Sequence, residues 1–91
     1  MKKNAYERIG ELLELPKEVV SNEPKLTIIG FNELVIENYK GILDYEDTFI
    51  RINTHIGSVG INGVNLNLKQ ITEEIILITG TIENIELEKN M

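Results

Sequence analysis

Hydrophobic and polar positions change their period once along this chain, at Pro24. Over residues 5–15 the apolar side chains Tyr6, Ile9, Leu12 and Leu13 recur at helical spacing, with Glu7, Glu11 and Glu14 on the other side. That arrangement predicts a short amphipathic helix. Pro16 stops or redirects it, because an interior proline removes a backbone donor and crowds the preceding turn. Residues 17–24 set Val19 and Val20 among charged and turn residues, which reads as a linker or a short turn of helix. Pro24 biases Glu23 toward the extended conformation that leads into a strand. Residues 1–24 are therefore expected to form an N-terminal helix and linker, and residues 25–91 a β domain.

From Lys25 onward the period is two, the mark of strands whose side chains alternate between faces. About eight short strands are expected, over residues 25–30, 33–38, 42–45, 48–53, 57–61, 64–71, 74–80 and 81–88. Turns are expected from Asn38 to Gly41 and around Asp44, Glu46 and Asp47. A hairpin is expected at Asn62-Gly63, since a type I′ turn needs positive φ at both central positions and this dipeptide tolerates it. Beyond it, Val64, Leu66 and Leu68 fall on one face and Asn65, Asn67 and Lys69 on the other, describing a half-buried strand with a wet outer face. The unbroken run Ile75, Ile76, Leu77, Ile78 predicts a strand covered on both faces. In the last segment Ile82 has one parity and Ile85 and Leu87 the other, so a bulge or bend is expected near Glu83 and Asn84.

Short strands joined by tight turns, without long crossovers, point to an antiparallel meander folded into a small sandwich or barrel, and the sandwich is preferred. A β-solenoid would need a strict repeat, which the turn spacing lacks.

Size and charge narrow the function classes. A chain of 91 residues makes one small domain that buries only roughly 60 to 65% of its unfolded surface, so its stability is modest unless a partner or a second copy covers more. Cysteine is absent, which leaves neither a disulfide framework nor a thiolate metal site and fits a reducing compartment. Charged residues interrupt the N-terminus before a signal-peptide core develops, and no stretch reaches the ~20 apolar residues of a membrane span, so the expectation is a cytoplasmic protein. The net charge is −6, and five basic residues balance five acidic ones over residues 1–25. The whole excess lies in the β region, where Lys40, Arg51, Lys69 and Lys89 face ten carboxylates. Such a surface repels phosphate backbones, and nucleic acid is not an expected partner.

Candidate chemistry is sparse. His55 is the single histidine, and a metal site built on it would have to recruit Asp44 or Asp47 from another strand. Its position before Gly57 reads instead as a turn or strand end. Asp44, Glu46 and Asp47 lack the twelve-residue calcium-loop pattern, and a solvated turn is the plainer reading. Gly57, Gly60 and Gly63 sit among strand residues with no helix N-terminus after them, so twist, turn and close packing explain them better than phosphate binding. Neither Ser21 nor Ser58 occupies a nucleophile-elbow motif. The expectation is a non-enzymatic protein without cofactor or metal.

Three stretches carry a family resemblance: residues 14–20 (ELPKEVV), 26–30 (LTIIG) and 36–43 (IENYKGIL). It continues through residues 57–63 (GSVGING), 66–69 (LNLK), 73–77 (EEIIL) and 80–83 (GTIE). In order and spacing, over almost the whole chain, these resemble the YabP/YqfC family of bacterial sporulation proteins, and its YqfC branch in particular. Gly60 departs from the pattern, because an apolar residue is usual there, and that bears on the packing of one strand face. The resemblance implies a small immunoglobulin-like β-sandwich and a role in endospore formation in the mother-cell cytoplasm, peripheral to the forespore membrane through a partner. It also implies a membrane-embedded companion, the sporulation protein YqfD, and carries over no catalytic or ligand residues.

Two functions follow from different classes. The first is a structural, assembly or adaptor protein, homo-oligomeric or bound to a protein partner. It would bind through an open sheet edge, through the outer face of Asn65, Asn67 and Lys69, or through the stripe of Tyr6, Ile9, Leu12 and Leu13; that stripe otherwise caps an end of the sheet. The alternative is a small-ligand or ion-binding β domain using His55 and the Asp44 to Asp47 turn.

Overall fold

A computed structural model describes residues 23–90, so the expected helix over residues 5–15 and its stripe lie outside the described residues. Six strands follow in order: β1 (Lys25–Ile29), β2 (Glu33–Glu37), β3 (Tyr39–Tyr45), β4 (Phe49–Thr54), β5 (Gly57–Ile71) and β6 (Ile75–Lys89). All pair antiparallel in a single sheet of order β1-β2-β6-β5-β4-β3.

The all-β, antiparallel expectation holds, and the eight strands become six because β5 and β6 each take up two expected segments. The Asn62-Gly63 hairpin does not form. Asn62 pairs with Phe49 on one side and Asn84 on the other, and Gly63 lies opposite Ile82. Gly63 is not at positive φ, so the backbone there cannot make a type I′ turn. A Cβ on Gly63 would overlap the Thr81 carbonyl oxygen and sit 2.9 Å from Leu66 Cδ2. The residue is glycine because two strands cross closely at this point. Gly80, expected as the last residue of one strand before another begins at Thr81, is likewise inside a single strand, at φ 125, where a Cβ would meet the Asn65 carbonyl oxygen at 2.5 Å and Leu66 Cα at 2.8 Å.

These glycines and the bulges around them bend the long β5–β6 hairpin, whose register slips at Asn62/Gly63, Val64/Asn67 and Leu68/Gln70. The first slip leaves Glu83 as the extra residue between Asn84 and Ile82, where the change of parity in the sequence places a bulge. Asn65, at φ 54, belongs to the second. The bulge there returns Leu66 and Leu68 to the core side and leaves Val64 46% exposed, against the expectation that it points inward with them.

Connectivity shows that the sheet curls over itself. β2 and β3 are four strand spacings apart in the sheet, about 19 Å if it were flat. Only Asn38, at φ 62, joins them, and two residues of chain span at most about 7 Å. The β2 and β3 ends of the sheet must therefore meet. Between them lies a core of Leu34, Ile36, Ile50, Ile52, Val59, Ile61, Leu66, Ile76 and Ile78. Leu77 and Val35 are buried on the opposite face from Ile76 and Leu34, so the run in β6 is covered on both sides, as its composition predicts. Gly60 is buried, and the Phe49 ring stands 3.3 Å from where its Cβ would be. The missing apolar side chain is thus replaced by a neighbour from β4.

Candidate functional site

Curling brings the two halves of the long hairpin against the outer strands and creates two seams. One runs between β3 and the C-terminal half of β5, and hydrogen bonds close it. Gly63 N–H donates to Thr48 O at 3.1 Å and Leu66 N–H to Asp47 O at 2.8 Å. The Tyr45 hydroxyl donates to Asn67 Oδ1 at 3.0 Å and accepts from Leu68 N–H at 3.3 Å. The Tyr39 hydroxyl donates to the Thr72 carbonyl oxygen in the β5–β6 turn.

The second seam runs between β1 and the C-terminal half of β6. Gly80 N–H donates to Asn32 O at 3.3 Å and Ile82 N–H to Phe31 O at 2.7 Å. Among the described residues the lacing stops there. β2 covers β6 only from Ile75 to Thr79, and residues 83–89 of β6 pair with β5 alone among the described residues. Two hollows mark this seam. One, of about 310 Å³, is lined by Ile28, Phe31, Ile82 and Ile85 together with Glu83 and Asn84. The other, of about 200 Å³ with mainly apolar walls, is lined by Pro24, Leu26, Val59 and Leu87 at its far end. Phe31 is 83% exposed and Leu87 72%, exposures at which a large apolar side chain contributes little to the fold.

The expected interaction face on β5 is present on the surface: Asn65, Asn67 and Lys69 are all exposed. Two of the three have structural work, however. Asn65 takes the left-handed conformation at the bend, which asparagine tolerates better than most residues, and Asn67 is engaged by Tyr45.

His55 occupies the β4–β5 turn, as its place before Gly57 suggests. That turn is organised by Thr54, whose buried hydroxyl donates to Gly57 O at 2.7 Å and accepts from Ile56 N–H at 3.3 Å. Asp44 sits on β3 and pairs with Arg51 Nη2 at 2.8 Å, so its charge is already answered. Among the described residues no three of His, Cys, Asp and Glu come together in a way that could hold a metal ion. Glu37, opposite Lys25 in the β1–β2 register, has its carboxyl pushed above the usual carboxylate range by burial, with the Lys25 ammonium opposing. No helix among the described residues is long and apolar enough to cross a membrane.

Residues 21–91 match the model of the YabP family, a span that includes every described strand. Among curated proteins, the chain is similar to the uncharacterized protein YqfC of Bacillus subtilis (strain 168). The two are 35% identical over 71 residues, covering 78% of this chain and 76% of that protein. No solved structure matches the chain. With a match of that extent, running through both halves of the bent hairpin, the chain belongs to the YabP family.

Proposed function

We propose that this chain is a non-enzymatic assembly or adaptor protein of endospore formation, which acts in the mother-cell cytoplasm by holding a protein partner. The observation that carries the reading is the family match over residues 21–91, joined to an exposed apolar seam among the described residues. Apolar side chains as exposed as Phe31 and Leu87, beside a strand edge that pairs on one side only among the described residues, are features of surfaces that bind other chains. The partner we favour is a membrane-embedded sporulation protein of the YqfD kind, which would place the chain at the forespore membrane. The finer architecture proposed is a small immunoglobulin-like sandwich, its two layers supplied by the two halves of the curled sheet.

The test is cross-linking and affinity capture of the full-length chain from sporulating cells, with vegetative cells as the control. A membrane-embedded sporulation protein recovered only during sporulation is the expected result. Recovery of no specific protein by the wild-type chain would refute the adaptor reading. No observation favours the ion-binding alternative, since the aspartates and histidine it needs are not brought together.

A further inference from the structure

Both seams of the curled sheet have the same origin, yet hydrogen bonds lace the β3–β5 seam along its length while, among the described residues, the β1–β6 seam is unlaced beyond Ile82. Backbone geometry shows what residues 83–89 present there. Asn90 N–H donates to Ile56 O at 3.0 Å, so the backbone groups of Asn90 point toward β5. In an antiparallel strand this direction alternates from residue to residue. The amide and carbonyl groups of Ile85, Leu87 and Lys89 consequently point away from β5, into the seam. The other end agrees: Ile82 N–H points away from β5, to Phe31, and the extra residue at Glu83 shifts the alternation by one.

We propose that this edge of β6 accepts an extended basic segment of a partner protein as an added strand. The inference rests on the adaptor reading and names the surface and the partner chemistry. A strand laid along residues 85–89 would bond their outward amides and carbonyls and place every second side chain in the apolar seam of Leu26, Ile28, Phe31, Ile82, Ile85 and Leu87. Its remaining side chains would lie over Glu86 and Glu88, both exposed. Charge selects the occupant. Residues 23–90 hold eleven carboxylates against five Lys and Arg, so a second copy of this acidic domain is repelled, while lysine or arginine on alternate positions is attracted.

The probe is an octapeptide of alternating lysine and valine, titrated into the full-length chain with amide NMR as readout, beside a glutamate–valine octapeptide. The expected result is binding of the lysine peptide alone, with the largest shifts at Ile85, Leu87 and Lys89. Affinity should fall about tenfold or more in the double variant Glu86→Lys, Glu88→Lys, which changes only exposed side chains. Shifts confined to β3, or equal binding of both peptides, would overturn the proposal. So would self-association that the double variant abolishes, which would put a second copy in the seam. A gain in peptide affinity on Leu12→Lys, Leu13→Lys would overturn it too, by making the chain's own N-terminal segment the occupant. Capture from sporulating cells separates the two readings. A partner retained by the Glu86→Lys, Glu88→Lys variant moves the surface elsewhere and leaves the adaptor role standing. A wild-type chain that captures nothing removes the adaptor role, and the peptide titration then judges the edge by itself.

Discussion

Replacing Gly80 with alanine tests whether β5 and β6 cross as closely as the curled sheet requires. Two costs add. At φ 125 an L-residue is strained by about 1 to 3 kcal/mol. The new Cβ would also lie 2.5 Å from the Asn65 carbonyl oxygen and 2.8 Å from Leu66 Cα. Both are backbone atoms, so no side chain can rotate aside, and relief requires the strands to part. Losing one or two ladder hydrogen bonds there costs about 1 kcal/mol each. The expected loss is about 3 kcal/mol, against a total of about 5 kcal/mol for a domain of this size. The melting temperature should fall by about 12 to 24 °C. Gly41→Ala is the control: its Cβ meets nothing within 4 Å and its φ is not positive, so the change should stay within about 0.5 kcal/mol. Urea unfolding followed by far-UV circular dichroism and tyrosine fluorescence reads both variants, the chain having no tryptophan. Coincident midpoints for Gly80→Ala and Gly41→Ala would refute the close crossing and, with it, the bent hairpin.

Ile61 is 0% exposed, and Ile61→Ala should cost about 2 to 5 kcal/mol; a loss of less than about 1 kcal/mol in urea unfolding would show that Ile61 is not packed in the core. The Asp44–Arg51 pair joins two half-exposed side chains, so Asp44→Asn should change stability by less than about 1 kcal/mol, with the difference shrinking in salt. Glu37 has its folded carboxyl raised above 4.5 by burial. Its charged form is therefore disfavoured in the fold, and its contribution to stability, full below 4.5, is lost as pH rises through the folded value. Glu37→Gln should be slightly more stable than wild type at neutral pH and lose that advantage in acid; urea midpoints at about pH 4 and pH 7 check the sign. A panel of zinc, calcium and magnesium should leave the thermal transition unmoved, and a saturable rise with any one ion would bring back the ion-binding function.

Alternation in the sequence reports which face a side chain is on, and where that was the question the answer was available. The bulge at Glu83 was legible because an extra residue leaves its trace in the pattern itself: Ile82 and Ile85 cannot share a face unless the strand slips. Coverage of Ile76 to Ile78 on both sides was legible for the same reason. Asn62-Gly63 misled because a glycine that makes room for Thr81 and a glycine that turns a hairpin look alike until the crossing strand is known, and Thr81 lies eighteen residues further on. Gly80 is the same case seen from the other strand. Asn65 and Asn67 read correctly as outward-facing, yet their tasks, a left-handed bend and a bond to Tyr45, depend on β6 and β3. The β1–β6 seam was beyond reach altogether, since residues 24–31 and 82–89 become neighbours only when the sheet curls. One trace of it stood in the chain: Phe31, a large apolar residue between Gly30 and Asn32, is costly to leave in a solvated turn. Its place agrees with the added strand proposed above, since Phe31 lines the seam beside residues 83–89 of β6, which pair with β5 alone among the described residues.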